Sequence, residues 1–509
     1  MRLPNPPAHS TPASPVWPGA HAGGQRSRRV LLEHLSPPDS VGLAAGLGAR
    51  SARAVWHPCT RLRPDGNVAP LAIARGEGPW LIDADGQRYF DAISSWWVNL
   101  FGHANPAINA ALIDQLQTLE HVMLAGCTHE PAVALAERLT ALTGGALGHA
   151  FYASDGASAV EIALKMSFHY WRNTGLSAKR EFVCLRDSYH GETVGALAVT
   201  DLEVFRDAYD ALTRRAHVVM SPDARQARRG ESAADVAARA LAELEALLRE
   251  RAGQIAALIV EPLVQCAAGM AMYDPSYLEG ARALCDRYRV HLIADEIAVG
   301  CGRTGTFFAW EQARGAASNQ NMDERLPAHG WPDFLCLSKG ISGGYLPLSL
   351  VLSRPEIQRA FVADELARSF LHSHSYTGNP LACRAALATL DLFEQDDVLA
   401  RNRERAQWLG DALAPLAADA RVQHVRQQGM IWAADIDAAA AGTDFPVRFH
   451  RAALARGVLV RPIGHTLYVM PPYVFDAAQA RWLGEQLFAA LNEVTAQVTE
   501  PEPEVRRVA

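Results

Sequence analysis

The chain has almost no lysine. Of 48 Lys and Arg residues only three are lysines, Lys165, Lys179 and Lys339. Arginine keeps its proton near neutral pH, whereas a lysine amine can lose it and attack a carbonyl. Carbonyl chemistry by a side-chain amine is therefore confined to three positions. An excess of basic charge is also missing: the formal net charge is −7, which leaves no electrostatic footprint for nucleic acid. None of the eight cysteines, Cys59, Cys127, Cys184, Cys266, Cys285, Cys301, Cys336 and Cys383, forms a CxxC pair. Several sit in apolar runs, where cysteine is a small buried hydrophobe, so neither a disulfide framework nor a zinc site is expected and a reducing cytoplasm is. No apolar run reaches membrane-spanning length, and the opening "MRLPNPPAHSTPASP" lacks the apolar core of a signal peptide.

What is present describes a large globular protein, with 49% hydrophobic and 20% charged residues. The first fifty positions are rich in Pro, Gly, Ser and Ala without a sustained period, and residues 1–52 read as a disordered extension. Residues 497–509 read as a flexible tail. Between them, "GPWLIDADGQRYFDA" (78–92) predicts a hairpin turning at DADG. Apolar spacing predicts helices over 106–122, 156–173 and 274–289, the last with an Asp cap. The Ala/Glu/Arg stretch 231–252 predicts a helix with a solvated face. "EFVCL" (181–185), "IAALIVEPL" (255–263), "VHLIADEI" (290–297) and "DFLCLSK" (333–339) are buried strands. Continuous apolar strands alternating with helices predict an α/β fold with a mostly parallel sheet covered on both faces. Residues 314–332 read as a polar surface insertion. From about 379 the pattern changes to a smaller α+β domain, 379–496, completed by an N-terminal segment, 53–105, around a large domain, 106–378.

Ligands of such sheets bind at the carboxyl ends of the strands. Glu261, Asp295 and Lys339 all stand there. Lys339 lies between "FLCL" and "GISGG", where apolar walls lower an amine pKa and glycines leave room for a flat ligand. Taken alone it is either a nucleophile or a loop lysine. Asp295 follows a buried run and needs a positive partner, either a protonated ring nitrogen or an arginine such as Arg303. "ASDGASAVEIALK" (153–165) leads a turn into a helix whose first N–H groups suit a phosphate, although Asp and Ser there are also ordinary caps. Because Asp155 places an acid at that point, backbone N–H groups are expected to hold the anion.

The ordered set "SDGASAVEIALK", "SYHGET" (188–193), "VEPL" (260–263), "IADEIAVGCGRTG" (293–305), "LSKGISGGYLPLS" (337–349) and "HSHSYTGNPLAC" (372–383) resembles the class III, fold-type I, pyridoxal-phosphate-dependent aminotransferases over roughly residues 53–495. "VWHPCT" (55–60), "SSWWVNLFGHANP" (94–106), "KMSFHYW" (165–171) and "VLVRPIGHTLYVMPPY" (458–473) resemble the branch that passes an amino group from S-adenosylmethionine to 8-amino-7-oxononanoate in biotin synthesis. The resemblance implies pyridoxal phosphate as cofactor and a homodimer. It implies Lys339 as the residue that condenses with the cofactor aldehyde and shuttles a proton. Asp295 would pair with the ring nitrogen, Tyr189 would lie against the ring, and Asp155 and Gly156 would line the phosphate site. Glu261 would tune the cofactor's polar edge, and Ser375, with His374 beside it, would reach the phosphate from the neighbouring subunit. Trp96 and Trp97 would wall the substrate channel, with Cys59, Ser373, Arg461 and Tyr468 also at substrate and Arg461 on its carboxylate.

Cys59 stands where better-known members of that branch carry tyrosine. Ser375 replaces threonine, Ser373 and His374 replace Gly-Pro, Asp155 replaces serine and Glu192 replaces aspartate. Three alternatives stay open: a different amino donor such as lysine, another ω-amino acid or diamine transaminase, and a protein that holds the cofactor without turnover. His190 reads as a core histidine without a chemical task.

Overall fold

The structure is a computed structural model, and it describes residues 46–62, 70–313, 326 and 328–496. It divides into two units, Met1–Ala72 and Ile73–Ala509. The first contains a helix, Leu47–Ala54, at the end of the stretch expected to be disordered. Its run of Leu, Ala and Arg are good helix formers, which a reading based on the surrounding Pro and Gly overlooks. Residues 1–45 of the expected extension, the tail 497–509 and residues 314–325 and 327 of the expected insertion lie outside the described residues.

The second unit is built on a seven-stranded sheet. Its strands in chain order are β4 (His149–Ala153), β5 (Glu181–Leu185), β6 (His217–Val219), β7 (Ile255–Val260), β10 (His291–Asp295), β11 (Phe334–Leu337) and β12 (Ser349–Ser353). They lie in the order β4-β12-β11-β10-β7-β5-β6. All run parallel except β12, which is antiparallel to both neighbours. Every residue of β7, β10, β11 and β12 is buried, because side chains alternate between two covered faces. Ile293, Phe334, Cys336 and Val351 pack on one side with Val160, Ala163 and Leu164 of the helix Gly156–Asn173. Leu292, Ala294, Leu335 and Leu337 face the other side, among the residues buried with Val236, Leu244, Tyr277 and Leu278.

Those last four residues belong to the helices Ala233–Arg251 and Ser276–Tyr288. The first is not only a solvated face: Val236, Ala237, Ala240, Leu244 and Leu248 are buried along one side, and Ser232 with Asp235 closes a capping box. The expected cap of the second is shifted. Asp274 accepts from Ser276 N at 2.9 Å one residue ahead of the cap position.

A second sheet joins the hairpin strands β1 (Ile73–Glu77), β2 (Trp80–Asp83) and β3 (Arg88–Asp91) to β15 (Val458–Leu459). The β2–β3 turn is the expected DADG: the Asp83 carboxylate accepts from Asp85 N and Gln87 N, and Gly86 takes a φ of +86°. A third, antiparallel sheet is formed by β13 (Val422–Gln428), β14 (Ile431–Ile436) and β16 (Thr466–Val469), and β8 (Val264–Gln265) pairs with β9 (Ala271–Met272). The helices Val398–Ala417 and Ala477–Ala496 pack together near it.

After β11 the chain turns through Lys339–Ser342 into Gly343 and Gly344, with φ of +65° and +86°. A Cβ on Gly344 would stand 2.8 Å from the backbone C and O of Val98. The combination of positive φ and backbone contact leaves only glycine possible. Gly344→Ala is expected to cost more than about 1 kcal/mol, read as a lowered thermal-unfolding midpoint; an unchanged midpoint would remove this contact as a constraint.

Candidate active site

Five strands of the large sheet end on the same edge, and the residues that follow them meet there. Asp295 closes β10, Glu261 follows β7, and Lys339 follows β11 by two positions. Asp155 and Gly156 begin the helix after β4, and Tyr189 lies in the loop after β5. A cavity of about 510 Å³ opens between them, lined by Trp97, Asp155, Gly156, Tyr189, Glu261, Asp295 and Lys339.

Lys339 has a φ of +46°, and its Nζ lies 4.4 Å from the Trp97 ring centroid. Burial pulls its pKa below the ordinary lysine value, although Cys266, Asp295 and Glu261 act in the opposite direction. Asp295 is only 4% exposed. Its Oδ1 accepts from Ile297 N at 3.1 Å, and its Oδ2 is 2.7 Å from His190 Nδ1. Arg303 is not its partner: that guanidinium is buried and donates to the carbonyls of Pro471 and Asn99. Glu261 accepts from Tyr189 N and Cys266 N, and burial pushes its pKa up to about 7. The Asp155 carboxylate accepts from Ser158 N and Ser158 Oγ as an ordinary N-cap. It thus leaves the first-turn N–H groups of Gly156 and Ala157 without an intrahelical acceptor.

His190, expected to be an inert core histidine, is buried against Asp295 and lines the cavity. Its place in "SYHGET", directly after Tyr189, was the available signal. Glu192 takes a hydrogen bond from Tyr189 OH at 2.9 Å. Ile297 and Val299, in the loop after β10, supply apolar wall.

Trp96 and Trp97 belong to a turn in which Ser94, Ser95, Trp96 and Trp97 all have positive φ (52°, 47°, 72° and 72°). Left-handed backbone costs a non-glycine residue roughly 1–2 kcal/mol, so this turn needs outside support. Trp97 is buried and donates from Nε1 to Tyr468 OH at 3.1 Å. Trp96 is 44% exposed, and Arg461 Cζ lies 5.1 Å above its ring. Ser373, His374 and Ser375 do not reach Lys339 in their own chain. They line a different hollow, with Met123, Phe151 and Tyr152. Cys59 is exposed, with a φ of +46°, and belongs to the unit Met1–Ala72.

The donor set is that of a small, flat, anionic aldehyde: an amine for the carbonyl, a carboxylate for a ring nitrogen, and a helix start for a phosphate. The sequence matches the family model Aminotransferase class-III over residues 63–491. The chain belongs to the class III aminotransferases. It is 39% identical to the adenosylmethionine-8-amino-7-oxononanoate aminotransferase of Helicobacter pylori, with 88% of this chain and 98% of that protein aligned. It is 37% identical to the protein of the same name from Aquifex aeolicus, over 87% and 96% of the two chains. The crystal structure of the Methanocaldococcus jannaschii protein of that name matches with a TM-score of 0.79 at 32% identity, covering 88% of this chain and 98% of that one. A PLP-bound amine transaminase from an uncultivated Pseudomonas species also matches with a TM-score of 0.79, at 31% identity and 87% and 99% coverage. The protein is a transaminase, and pyridoxal phosphate is its cofactor.

Two outcomes follow for Lys339. Borohydride reduction of the holoenzyme is expected to fix cofactor mass to the chain, seen by intact-mass spectrometry. Lys339→Ala should abolish that label; a label that persists would move the chemistry to Lys165 or Lys179. Because its pKa is lowered, the amine becomes neutral and nucleophilic at a lower pH than an ordinary lysine. The rate at which apoprotein takes up pyridoxal phosphate should rise with pH and level off with a midpoint below 10.5. A midpoint at or above that value would contradict burial as the dominant influence.

Proposed function

We propose that this transaminase moves the amino group of S-adenosylmethionine to 8-amino-7-oxononanoate, giving 7,8-diaminononanoate for biotin synthesis. The observation that carries the reading is the tandem-tryptophan turn, with Trp97 4.4 Å from the Lys339 amine and Trp96 beneath Arg461. A pocket serving both halves of this exchange must accept a sulfonium cation and a long aliphatic acid in turn. Aromatic faces attract cations and aromatic area buries methylenes, so one wall suits both. Arg461 supplies a guanidinium for the carboxylate they share in kind, and Glu192 adds negative charge near a cationic donor.

Pyridoxal phosphate, when bound, supplies the electron sink for charge developing at the substrate's reacting carbon. Around it, Lys339 holds and returns the proton of that carbon, using an amine whose pKa is already lowered. Asp295, steadied by Ile297 N and His190, is the acceptor for a protonated ring nitrogen. The N–H groups at Gly156 and Ala157 hold the phosphate, Tyr189 covers the ring, and Tyr468 fixes Trp97. Glu261 stands behind Tyr189, its carboxyl titrating near neutrality at the cofactor's polar edge. Ser375 and His374, which stand apart from Lys339 in their own chain, reach the phosphate site of the partner in a homodimer, with Ser373 near substrate.

A second reading, a different amine donor such as lysine or another ω-amine as substrate, is favoured by the equal fold similarity to amine transaminases. Holoenzyme supplied with 8-amino-7-oxononanoate and, in parallel, S-adenosylmethionine, lysine or a diamine decides between them by mass spectrometry of the product. Diaminononanoate formed fastest from S-adenosylmethionine is the expected result; turnover of other amines with no such product sinks the first reading. Arg461→Met is expected to raise KM for the keto acid by roughly 10- to 100-fold, the worth of one charge-assisted hydrogen-bonded pair. An unchanged KM would place the carboxylate elsewhere.

A further inference from the structure

The turn that presents Trp96 and Trp97 is built of four residues that all disfavour its backbone, so something outside it must hold it. The group that does so is Asp91, the last residue of β3 and completely buried. Its Oδ1 accepts from Ser95 N at 2.9 Å and its Oδ2 from Ser95 Oγ at 2.7 Å. A third donor arrives from below: His103 Nε2 lies 3.0 Å from the same Oδ2. The other nitrogen, His103 Nδ1, is 3.1 Å from Asn99 Nδ2. The amide N–H of Asn99 donates there, which leaves Nε2 carrying the proton offered to Asp91. His103 in turn can sit so close only because residue 76 is glycine, where a Cβ would stand 2.5 Å from that of His103. On the far side, Ser94 Oγ donates to Met470 O at 2.7 Å and ties the turn to the end of β16.

We infer that Asp91 is a positioning residue for substrate: two hydrogen bonds from Ser95 to its carboxylate, which His103 holds in place by a third, impose the left-handed turn that sets Trp97 against Lys339 and Trp96 beneath Arg461. Asp91 touches neither cofactor nor substrate and acts through Ser95. The inference rests on the proposed substrate-binding role of Trp96, Trp97 and Arg461. A carboxylate is required because all three partners are donors. An amide of the same shape offers one acceptor oxygen and turns an NH2 group toward the remaining donors.

Asp91→Asn in the holoenzyme is the direct test. KM for the keto-acid acceptor should rise roughly 10- to 100-fold, as expected when a positioning contact lets its target drift by about 1 Å. kcat should fall much less, the borohydride-trapped cofactor should remain, and the near-UV circular dichroism of the tryptophans should weaken. Adding Ser95→Gly to that variant removes both the unmatched hydroxyl donor and the strain at φ +47°. It should bring KM back to within about 5-fold of the parent, a coupling that independent roles would not give. A parental KM and tryptophan dichroism in Asp91→Asn would overturn the inference, as would a lost activity that Ser95→Gly fails to restore. If Asp91→Asn does not fold, Ser95→Ala, which removes only the hydroxyl bond, should still raise KM in the same direction; an unchanged KM there overturns it too. Should the parent enzyme transfer no amine to the keto acid at all, the substrate reading fails, whereas the dichroism of the variants still reports whether Asp91 holds the turn.

Discussion

The active site depends on the adjacency of two parallel strands. β10 and β11 pair in register with Asp295 opposite Cys336, so the carboxylate at the end of one strand and the amine three residues beyond Cys336 on the other reach a common cavity. Parallel pairing gathers strand ends on one edge, whereas an antiparallel pair would send them to opposite edges. β7 adds Glu261 beside β10, and β5 leads to Tyr189 and His190 beyond it. The antiparallel β12 places β4 next in the sheet with its carboxyl end on the same edge, so the helix that starts at Gly156 completes the cavity.

The cost of this arrangement is a concentration of charge where water is scarce. Asp295, Glu261, His190 and Lys339 all lie in or against the cavity. Burial disfavours the ionised forms of Glu261 and Lys339, and each group finds different partners. Asp295 has a backbone donor and a histidine. Glu261 has two backbone donors, yet burial still dominates and its pKa rises to about 7. Lys339 is buried, and that loss of water lowers its pKa although Cys266, Asp295 and Glu261 favour the charged amine. A lowered amine next to a held carboxylate is the electrostatic pattern that carbonyl chemistry uses.

Much of the large sheet was legible beforehand because its strands are buried on both faces and read as continuous apolar runs. "EFVCL" and the helix 156–173 fall on their observed boundaries, and Glu261, Asp295 and Lys339 at the strand ends line one cavity. Other features were hidden for physical reasons. The helix at Leu47–Ala54 is too short and too surrounded by Pro and Gly to show a period. The buried side of Ala233–Arg251 is made largely of Ala and Leu set among many charges, which mask its apolar stripe. For His190 the place after Tyr189 is a weak signal, and its contact with Asp295 follows only from β5 and β10 ending on one edge of the sheet. Asp91 carried no signal at all, because its partners in the turn are defined by φ angles that the residues Ser94–Trp97 do not prefer.

Residue types along the chain limit the chemistry available: three lysines, few positions for amine catalysis, a Gly-containing helix start, and an acid at the end of a buried run. Each of these is local, set by residue type and by the alternation of apolar with polar segments. The tertiary structure decided which of them meet. It placed Lys339, and neither Lys165 nor Lys179, in the cavity between the strand ends. It gave Asp295 a histidine in place of an arginine, separated Ser375 from its own chain's lysine, and turned two tryptophans toward an amine and a guanidinium. Those choices depend on strand order and on long-range hydrogen bonds, and neither is encoded within any one segment.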